Sequence, residues 1–336
     1  MIDPAPAIDE PVPSSPAQQV HALLADAAAH YRDALRASPQ AVQYLAGRGI
    51  GGAIAARFGL GFARPKWRDL LPVLERYDDA VVEASGLLAS SGEGAAVRRF
   101  DRLRDRVTFP IRTRSGDVAG FGGRAIGAGD DPKYMNSPEG VVFRKRELLY
   151  GLFEAEAAIQ VERYAVVVEG YFDVVALAQA GCLPVVGTLG TACSREQLEL
   201  LLSVTDRLVF CFDGDAAGRR AAARGMETVL PLAVDGRVVQ FVFLPDDHDP
   251  DSFVRAHGVE AFGASLQGAV SLFDFIVECI TTGCDFAYAE GRALCAHRAK
   301  GMWQQLPDGS VRGDLLRYCA GVLRLPEAQV LDLWTR

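Results

Sequence analysis

The run VFCFDGDAAGRRAA, residues 209–222, passes from the apolar side chains Val209, Phe210, Cys211 and Phe212 through Asp213, Gly214 and Asp215 directly into an Ala/Arg-rich segment. Aromatic and β-branched residues suit a buried strand, Asp and Gly suit a tight turn, and Ala and Arg are strong helix formers. The same texture recurs around it. YAVVVEG (164–170) leads into YFDVVALAQAG (171–181), and PVVGTLG (184–190) leads into SREQLELLLSV (194–204), where Ser194 and Gln197 have the spacing of a capping box. RVVQFVFLPDDHDPD (237–251) leads into SFVRAHG (252–258). Uninterrupted apolar strands alternating with helices predict a parallel sheet covered on both faces, an α/β fold.

In such a sheet, ligands bind just past the carboxyl ends of the strands. Three of the four predicted strands end there in acids: Glu169, then Asp213 with Asp215, then Asp249 with Asp251. Carboxylates gathered at one rim repel one another unless a metal ion, a basic side chain or solvent lies among them. With no histidine at these strand-end positions, they form a hard-oxygen set suited to Mg²⁺ or Mn²⁺ rather than zinc. Gly214 and Pro250 would turn the chain so that the flanking aspartates face one cation. A lone D-G-D or D-P-D is ordinary turn chemistry; its repetition at equivalent strand ends is what points to metal.

The rest of the chain is organised around this unit. Residues 1–16, with five prolines, predict a disordered leader. A subdomain of mixed helix and strand is expected over 17–160, the metal-binding α/β unit over 161–260, and a helical subdomain over 261–336. Within the first, Val20, Leu24, Ala27, Ala28, Tyr31 and Leu35 predict an amphipathic helix, with shorter helices near 40–46, 52–58, 67–77 and 79–85. RVTFPIRTRSGDVAGFGGRAI (106–126) predicts a β-hairpin about Ser115-Gly116-Asp117, and DPKYMNSPEG (131–140) a loop.

The net charge of −8 argues against a general nucleic-acid coat protein, but it hides an asymmetry. Between Arg98 and Arg146 there are twelve Lys/Arg against six Asp/Glu, an excess of +6 that leaves −14 for the remainder. A basic patch facing an acidic remainder suits a protein that holds a polyanion on one side and metal on the other. Seven cysteines without a C-x-x-C pair predict reduced thiols in a cytoplasmic protein, neither a disulfide framework nor a zinc site. No signal peptide and no apolar run of membrane-spanning length stand out, so no membrane partner is expected.

VVEGYFDVVALAQAG (167–181), FCFDGDAAGRRAA (210–222) and FLPDDHDPDSFV (243–254) together resemble the TOPRIM module of bacterial DnaG-type primases. YLAGRGI (44–50), ARFGLGFA (56–63), FDRLRDRVTFPIRTRSGDVAGFGGRAI (100–126), PKYMNSPE (132–139), FRKRELLYGL (143–152) and VVGTLGTACS (185–194) are similar to that family's polymerase core in the same order. The likeness runs from about residue 40 to at least residue 260.

The resemblance implies a metal-dependent nucleotidyltransferase making RNA primers from ribonucleoside triphosphates on a single-stranded DNA template. Glu169 would help the 3′-hydroxyl react, as general base or through a metal. Asp213, Asp215, Asp249 and Asp251 would hold divalent metal against the nucleotide phosphates. Arg104, Arg106, Arg124, Lys133 and Lys145 fall on positions associated with template and nucleotide phosphates, and Arg48 matches too. Asp173 is also matched, either as a catalytic acid or simply as an acid favoured at a helix N-terminus. Thr188 and Thr191 either line the site or merely turn the chain. Arg219 and Arg220 read as solvated or ion-paired helix residues.

Two departures stand out. The Cys/His spacing of the family's zinc-binding domain is absent, and the chain stops too early for the helicase-binding helical domain. A replicative helicase or a separate zinc-binding component is therefore an additional candidate partner, in a bacterial, phage or mobile-element setting. Two rivals remain from the residues alone: a TOPRIM nuclease using the same acids, and a non-catalytic nucleic-acid or nucleotide-binding module.

Overall fold

The computed structural model describes residues 15–92, 97–127, 132–190 and 193–335. The expected leader lies outside these residues up to position 14. Its last residue, Pro16, instead opens the first helix, α1 (Pro16–Arg36), which Ser15 caps by closing a capping box with Gln18. Helices α2 (Pro39–Gly47) and α3 (Gly52–Arg57) follow, then strand β1 (Gly61–Ala63).

The helix expected over 67–77 is reduced to one turn, α4 (Leu71–Leu74). The reason is a competing set of hydrogen bonds: Asp101 N–H donates to the Trp67 carbonyl, and the Asp101 carboxylate accepts from Leu70 N–H at 2.9 Å. Segment 67–70 is thereby tied to another strand, and Pro72 starts the helix late. Helix α5 (Asp79–Ala84) precedes a ribbon of β2 (Leu88–Ser91) and β3 (Arg98–Asp101).

Strands β4 (Arg106–Arg112) and β5 (Val118–Ala125) form the expected hairpin, with Gly116 at φ +97° in its turn. DPKYMNSPEG is not wholly a loop: β6 (Tyr134–Asn136) pairs with β5. These strands make an antiparallel sheet ordered β1-β4-β5-β6.

The second half carries the alternating pattern. After α6 (Leu152–Glu162) come β7 (Ala165–Val168), α7 (Tyr171–Ala180), β8 (Val185–Gly187), α8 (Arg195–Leu202), β9 (Arg207–Phe212), α9 (Ala216–Val229), β10 (Val238–Phe243) and α10 (Pro250–Gln267). The four strands are mutually parallel, and a short antiparallel β11 (Val270–Ser271) completes the order β11-β10-β9-β7-β8. The chain closes with α11 (Leu272–Thr281), α12 (Ala289–Gln305), α13 (Ser310–Leu323) and α14 (Glu327–Thr335). The boundaries expected at 160/161 and 260/261 fall inside α6 and α10.

Strand side chains alternate faces, and the sheet therefore builds two cores. Val167, Leu208, Phe210 and Phe241 pack with α8, α9 and the C-terminal helices through Ile276, Trp303, Leu315 and Trp334. Val166, Val168, Val209 and Val242 pack with α7, α10 and, from the antiparallel sheet, Phe109 and Ile111. Because Phe109 lies in the second core, 5.2 Å from the Tyr171 ring, the antiparallel sheet is held against the carboxyl ends of the parallel strands. No helix among the described residues is long and apolar enough to cross a membrane.

Candidate active site

The rim of the parallel sheet opens into a cleft of about 440 Å³. Glu169 and Asp173 reach it from the β7–α7 turn, Asp213 from the end of β9, and Asp249 and Asp251 from the start of α10. Leu189 and Gly190 line it from the end of β8. The antiparallel sheet supplies the opposite wall with Arg124, Lys133, Tyr134 and Asn136, and Arg48 enters just after α2. Tyr171 joins the walls: its hydroxyl donates to Asn136 Oδ1 at 2.7 Å, and Asn136 Nδ2 donates to the Leu189 carbonyl at 3.1 Å. Gly214 is required here by close approach, since a Cβ would collide with the carbonyls of Leu244 and Pro245 in the neighbouring rim loop.

Local hydrogen bonds hold the acids. Asp173 accepts from Gly170 N–H at 2.9 Å and from Asp251 N–H at 3.2 Å, so one carboxylate ties the first turn of α7 to that of α10. Asp215 is the N-cap of α9, accepting from Gly218 N–H at 2.7 Å, and Asp249 caps α10 by accepting from Ser252 N–H at 2.7 Å. Asp251 is paired with Arg255 at 2.8 Å and Arg48 at 3.0 Å. Arg48 also lies over the Phe172 ring, 4.5 Å from its centre.

Burial, and then crowded negative charge, show in the proton affinities. Burial, reinforced by Asp249, Asp213 and Asp251 against the Asp251 N–H bond, pushes Asp173 up to about 7. Burial and the neighbouring charges of Asp249, Glu169 and Asp215 push Asp213 up to about 6. Glu169 is raised chiefly by burial, with Arg224 opposing and Asp215 adding to the shift. Asp251 is raised by burial but held back by Arg255 and Arg48. All the donors at this rim are hard oxygens, which fits a divalent cation of the Mg²⁺ kind. Among the described residues no three His, Cys, Asp or Glu side chains converge into a ready-made cage, so bound phosphate or water would have to complete the coordination.

Comparison with known proteins agrees with this geometry. Residues 30–156 match the family described as DNA primase catalytic core, N-terminal domain, residues 166–254 match the Toprim-like family, and residues 273–328 match the DnaB-helicase binding domain of primase. A solved DNA primase domain from Pseudomonas aeruginosa is 42% identical with a TM-score of 0.88, the match covering 94% of this chain and 100% of that one. A DnaG primase catalytic domain solved bound to ssDNA is 38% identical with a TM-score of 0.86, covering 94% of this chain and 99% of that one. The chain belongs to the DnaG-type primase family. Among full-length primases it is 46% identical to that of Pseudomonas putida over 299 residues, which is 87% of this chain and 45% of the relative. The chain spans about half the length of the curated relatives it matches.

One expectation is overturned. Residues 273–328, from α11 into α14, match the family described as DnaB-helicase binding domain of primase, a match the sequence reading did not expect. Sequence reasoning missed it because α11–α14 share a core with the parallel sheet and look like ordinary helical cover.

The predicted basic residues of the DnaG-type core divide. Arg48, Arg124 and Lys133 line the cleft; Arg104, Arg106 and Lys145 do not. Arg124 lies 4.7 Å from the Tyr134 ring centre, and its buried Nε has no hydrogen-bond partner. Arg104 stacks on Trp67 and Phe100 at 4.3 and 4.9 Å, on a separate surface with Arg68, Arg98 and Arg99, and donates to the Asp101 carbonyl. Arg106 is buried, and its guanidinium donates to the Lys133 carbonyl at 3.3 Å. Lys145 sits where Gln197 fastens its carbonyl at 3.0 Å. Asp215 stands outside the cleft lining, although its charge acts on Asp213 and Glu169. Asp173, whose role the sequence left open, lies in the cleft and accepts from Asp251 N–H in the first turn of α10. Thr188 is buried with an unpartnered hydroxyl, and Thr191 lies outside the described residues. Arg219 is paired with Glu278 at 2.6 Å.

Proposed function

We propose that this chain is the catalytic core of a primase, joining ribonucleoside triphosphates into a short RNA primer on single-stranded DNA. The observation that carries this is the cleft itself, with five carboxylates on one wall and Arg48, Arg124 and Lys133 about the other. A nucleoside triphosphate needs cationic groups on its phosphates and a second charge-neutralising centre where the bond breaks, and in-line phosphoryl transfer demands little beyond such positioning. Mg²⁺ or Mn²⁺, held by Asp213 and Asp249 with Glu169, Asp215 and Asp251 close by, would neutralise charge on the transferring phosphate. Raised proton affinity suits Glu169 to accept the 3′-hydroxyl proton. Arg48, Arg124 and Lys133 bind phosphate oxygens, and Tyr134 offers a ring face. Arg104 on its aromatic shelf extends the basic surface on which template runs; Arg106 acts by holding the Lys133 segment, and Lys145 lies on the 145–148 loop that Gln197 fastens.

The relative solved bound to ssDNA supports the same template for this chain. The match at 273–328 supports a DnaB-type replicative helicase as a partner, and a separate component would supply the family's Cys/His zinc-binding domain. Bacterial relatives support a bacterial, cytoplasmic setting for the activity.

The test is incubation of the protein with labelled single-stranded DNA of several sequences, with and without ribonucleotides, comparing Mg²⁺ and Mn²⁺. Ribonucleotide-dependent RNA products of primer length are expected. Cleavage of the DNA without ribonucleotides would instead assign the acids to a nuclease, and neither product would make the chain a binding module.

A further inference from the structure

Two histidines beside the acid rim, in neither the cleft lining nor the proposed chemistry, meet nitrogen to nitrogen. His248 in the loop before α10 and His257 at the end of its first helical segment bring their Nε2 atoms to 3.4 Å, with ring centres 5.1 Å apart and planes at 76°. The geometry points to a late transition-metal site, for Zn²⁺ or a similar borderline cation, with His248 and His257 as its two protein ligands and water completing the shell.

The distances favour this over a plain hydrogen bond. Hydrogen bonds from N–H groups favour about 2.9–3.0 Å, so 3.4 Å is long for one. Two imidazoles bound to one tetrahedral zinc at about 2.0–2.1 Å have nitrogens about 3.4 Å apart and ring centres about 5.2 Å apart. Both separations are met. A straight hydrogen bond of the observed length would put the ring centres further apart than they are.

The surroundings hold the pair in a ligating form. Ser252 Oγ accepts from Asp249 N–H at 3.0 Å and donates to the Asp249 carbonyl at 3.1 Å. Its remaining lone pair faces His248 Nδ1 at 3.2 Å; with Nδ1 carrying the proton, the Nε2 lone pair points toward His257. An imidazole fixed through its far nitrogen is the usual arrangement of a metal ligand. Both rings rest on the buried Phe253, at 5.7 and 4.8 Å between centres. Gly258, at φ +82°, breaks the helix immediately after His257. Asp246, Asp247 and Asp249 flank His248 in sequence and add negative charge for a cation. Imidazole selects zinc, nickel or copper over magnesium, so this site and the carboxylate rim take different ions. A metal here staples the loop carrying Asp249 to the helix it caps.

Zinc titration by calorimetry, in millimolar Mg²⁺ to keep the carboxylates occupied, tests the assignment. One zinc per chain is expected, weakened by more than about tenfold in His257→Ala and likewise in His248→Ala, with Glu169→Gln unchanged. Zinc should slow amide exchange over 246–252 in the wild type and not in His257→Ala. His257 is exposed, so this variant keeps its fold and, without zinc, its Mg²⁺-dependent synthesis. Absence of zinc binding overturns the proposal, as does wild-type affinity in His257→Ala. A site lost in Glu169→Gln overturns it too, because the ion would then belong to the carboxylate rim.

Discussion

Replacing Asp173 with Asn should make the metal-free protein less stable at low pH and more stable at high pH. The folded protein holds this carboxyl at about 7 against an ordinary value of 3.8. Below about pH 3 it is protonated in both folded and unfolded chains, and its contribution is intact. As pH rises toward 7 the unfolded chain gives up its proton first, and stability falls at up to 1.36 kcal/mol per pH unit; above 7 the whole loss is present. Three units correspond to roughly 4 kcal/mol, an upper bound because Asp213, held at about 6, titrates in the same cluster. Asparagine cannot ionise, so it escapes this loss. It can accept from only one of the two amides, Gly170 N–H or Asp251 N–H, that Asp173 satisfies now, and the lost bond costs about 1 kcal/mol. Urea denaturation in EDTA should therefore find the variant about 1 kcal/mol less stable at pH 3, about equal to wild type at pH 4.5, and roughly 1–3 kcal/mol more stable at pH 8. Millimolar Mg²⁺ should shrink the gain at pH 8, since a cation favours the ionised wild-type cluster. A stability difference that stays constant from pH 4.5 to 8 would refute the electrostatic account of this rim.

Asp215→Ala should lose primer synthesis and about 1 kcal/mol of stability, because the side chain caps α9, whereas Asp215→Asn should lose synthesis and keep the stability; both are read by urea melts beside the assay. Glu169→Gln should lower turnover by orders of magnitude with template affinity unchanged, and a parallel loss of DNA binding would make Glu169 structural. Arg104→Ala should weaken single-stranded DNA binding and reduce the log–log salt slope by roughly 0.7, measured by fluorescence anisotropy across a salt titration. The double change Arg219→Ala with Arg220→Ala should move that slope much less, since Arg219 is already paired with Glu278 and lies over Phe243.

What could be read from the residues was what local pattern encodes. Strand, acidic turn and helix succeed one another within a few residues, so β7, β9 and β10 and the acids after them were legible without any knowledge of packing. Charge excess was legible only as a total. Twelve basic residues between 98 and 146 do not say which faces they share, and the fold sends Arg124 and Lys133 to the cleft, Arg104 to an aromatic shelf and Arg106 into the interior. The one-turn α4 was illegible for a similar reason, because the hydrogen bonds that override its helical pattern come from Asp101, thirty-one residues from Leu70. The aspartates show the deeper limit. Considered only as like charges, removing any one of them should relieve repulsion and stabilise the metal-free protein. The backbone says otherwise for two of the five expected ligands: Asp215 and Asp249 each satisfy an amide at the start of a helix, where the helix dipole also favours an anion. Helix N-termini thus let the chain place carboxylates side by side at a strand end before any cation arrives. Asp213 and Asp173 carry the large upward shifts, which burial drives first and the neighbouring carboxylates reinforce.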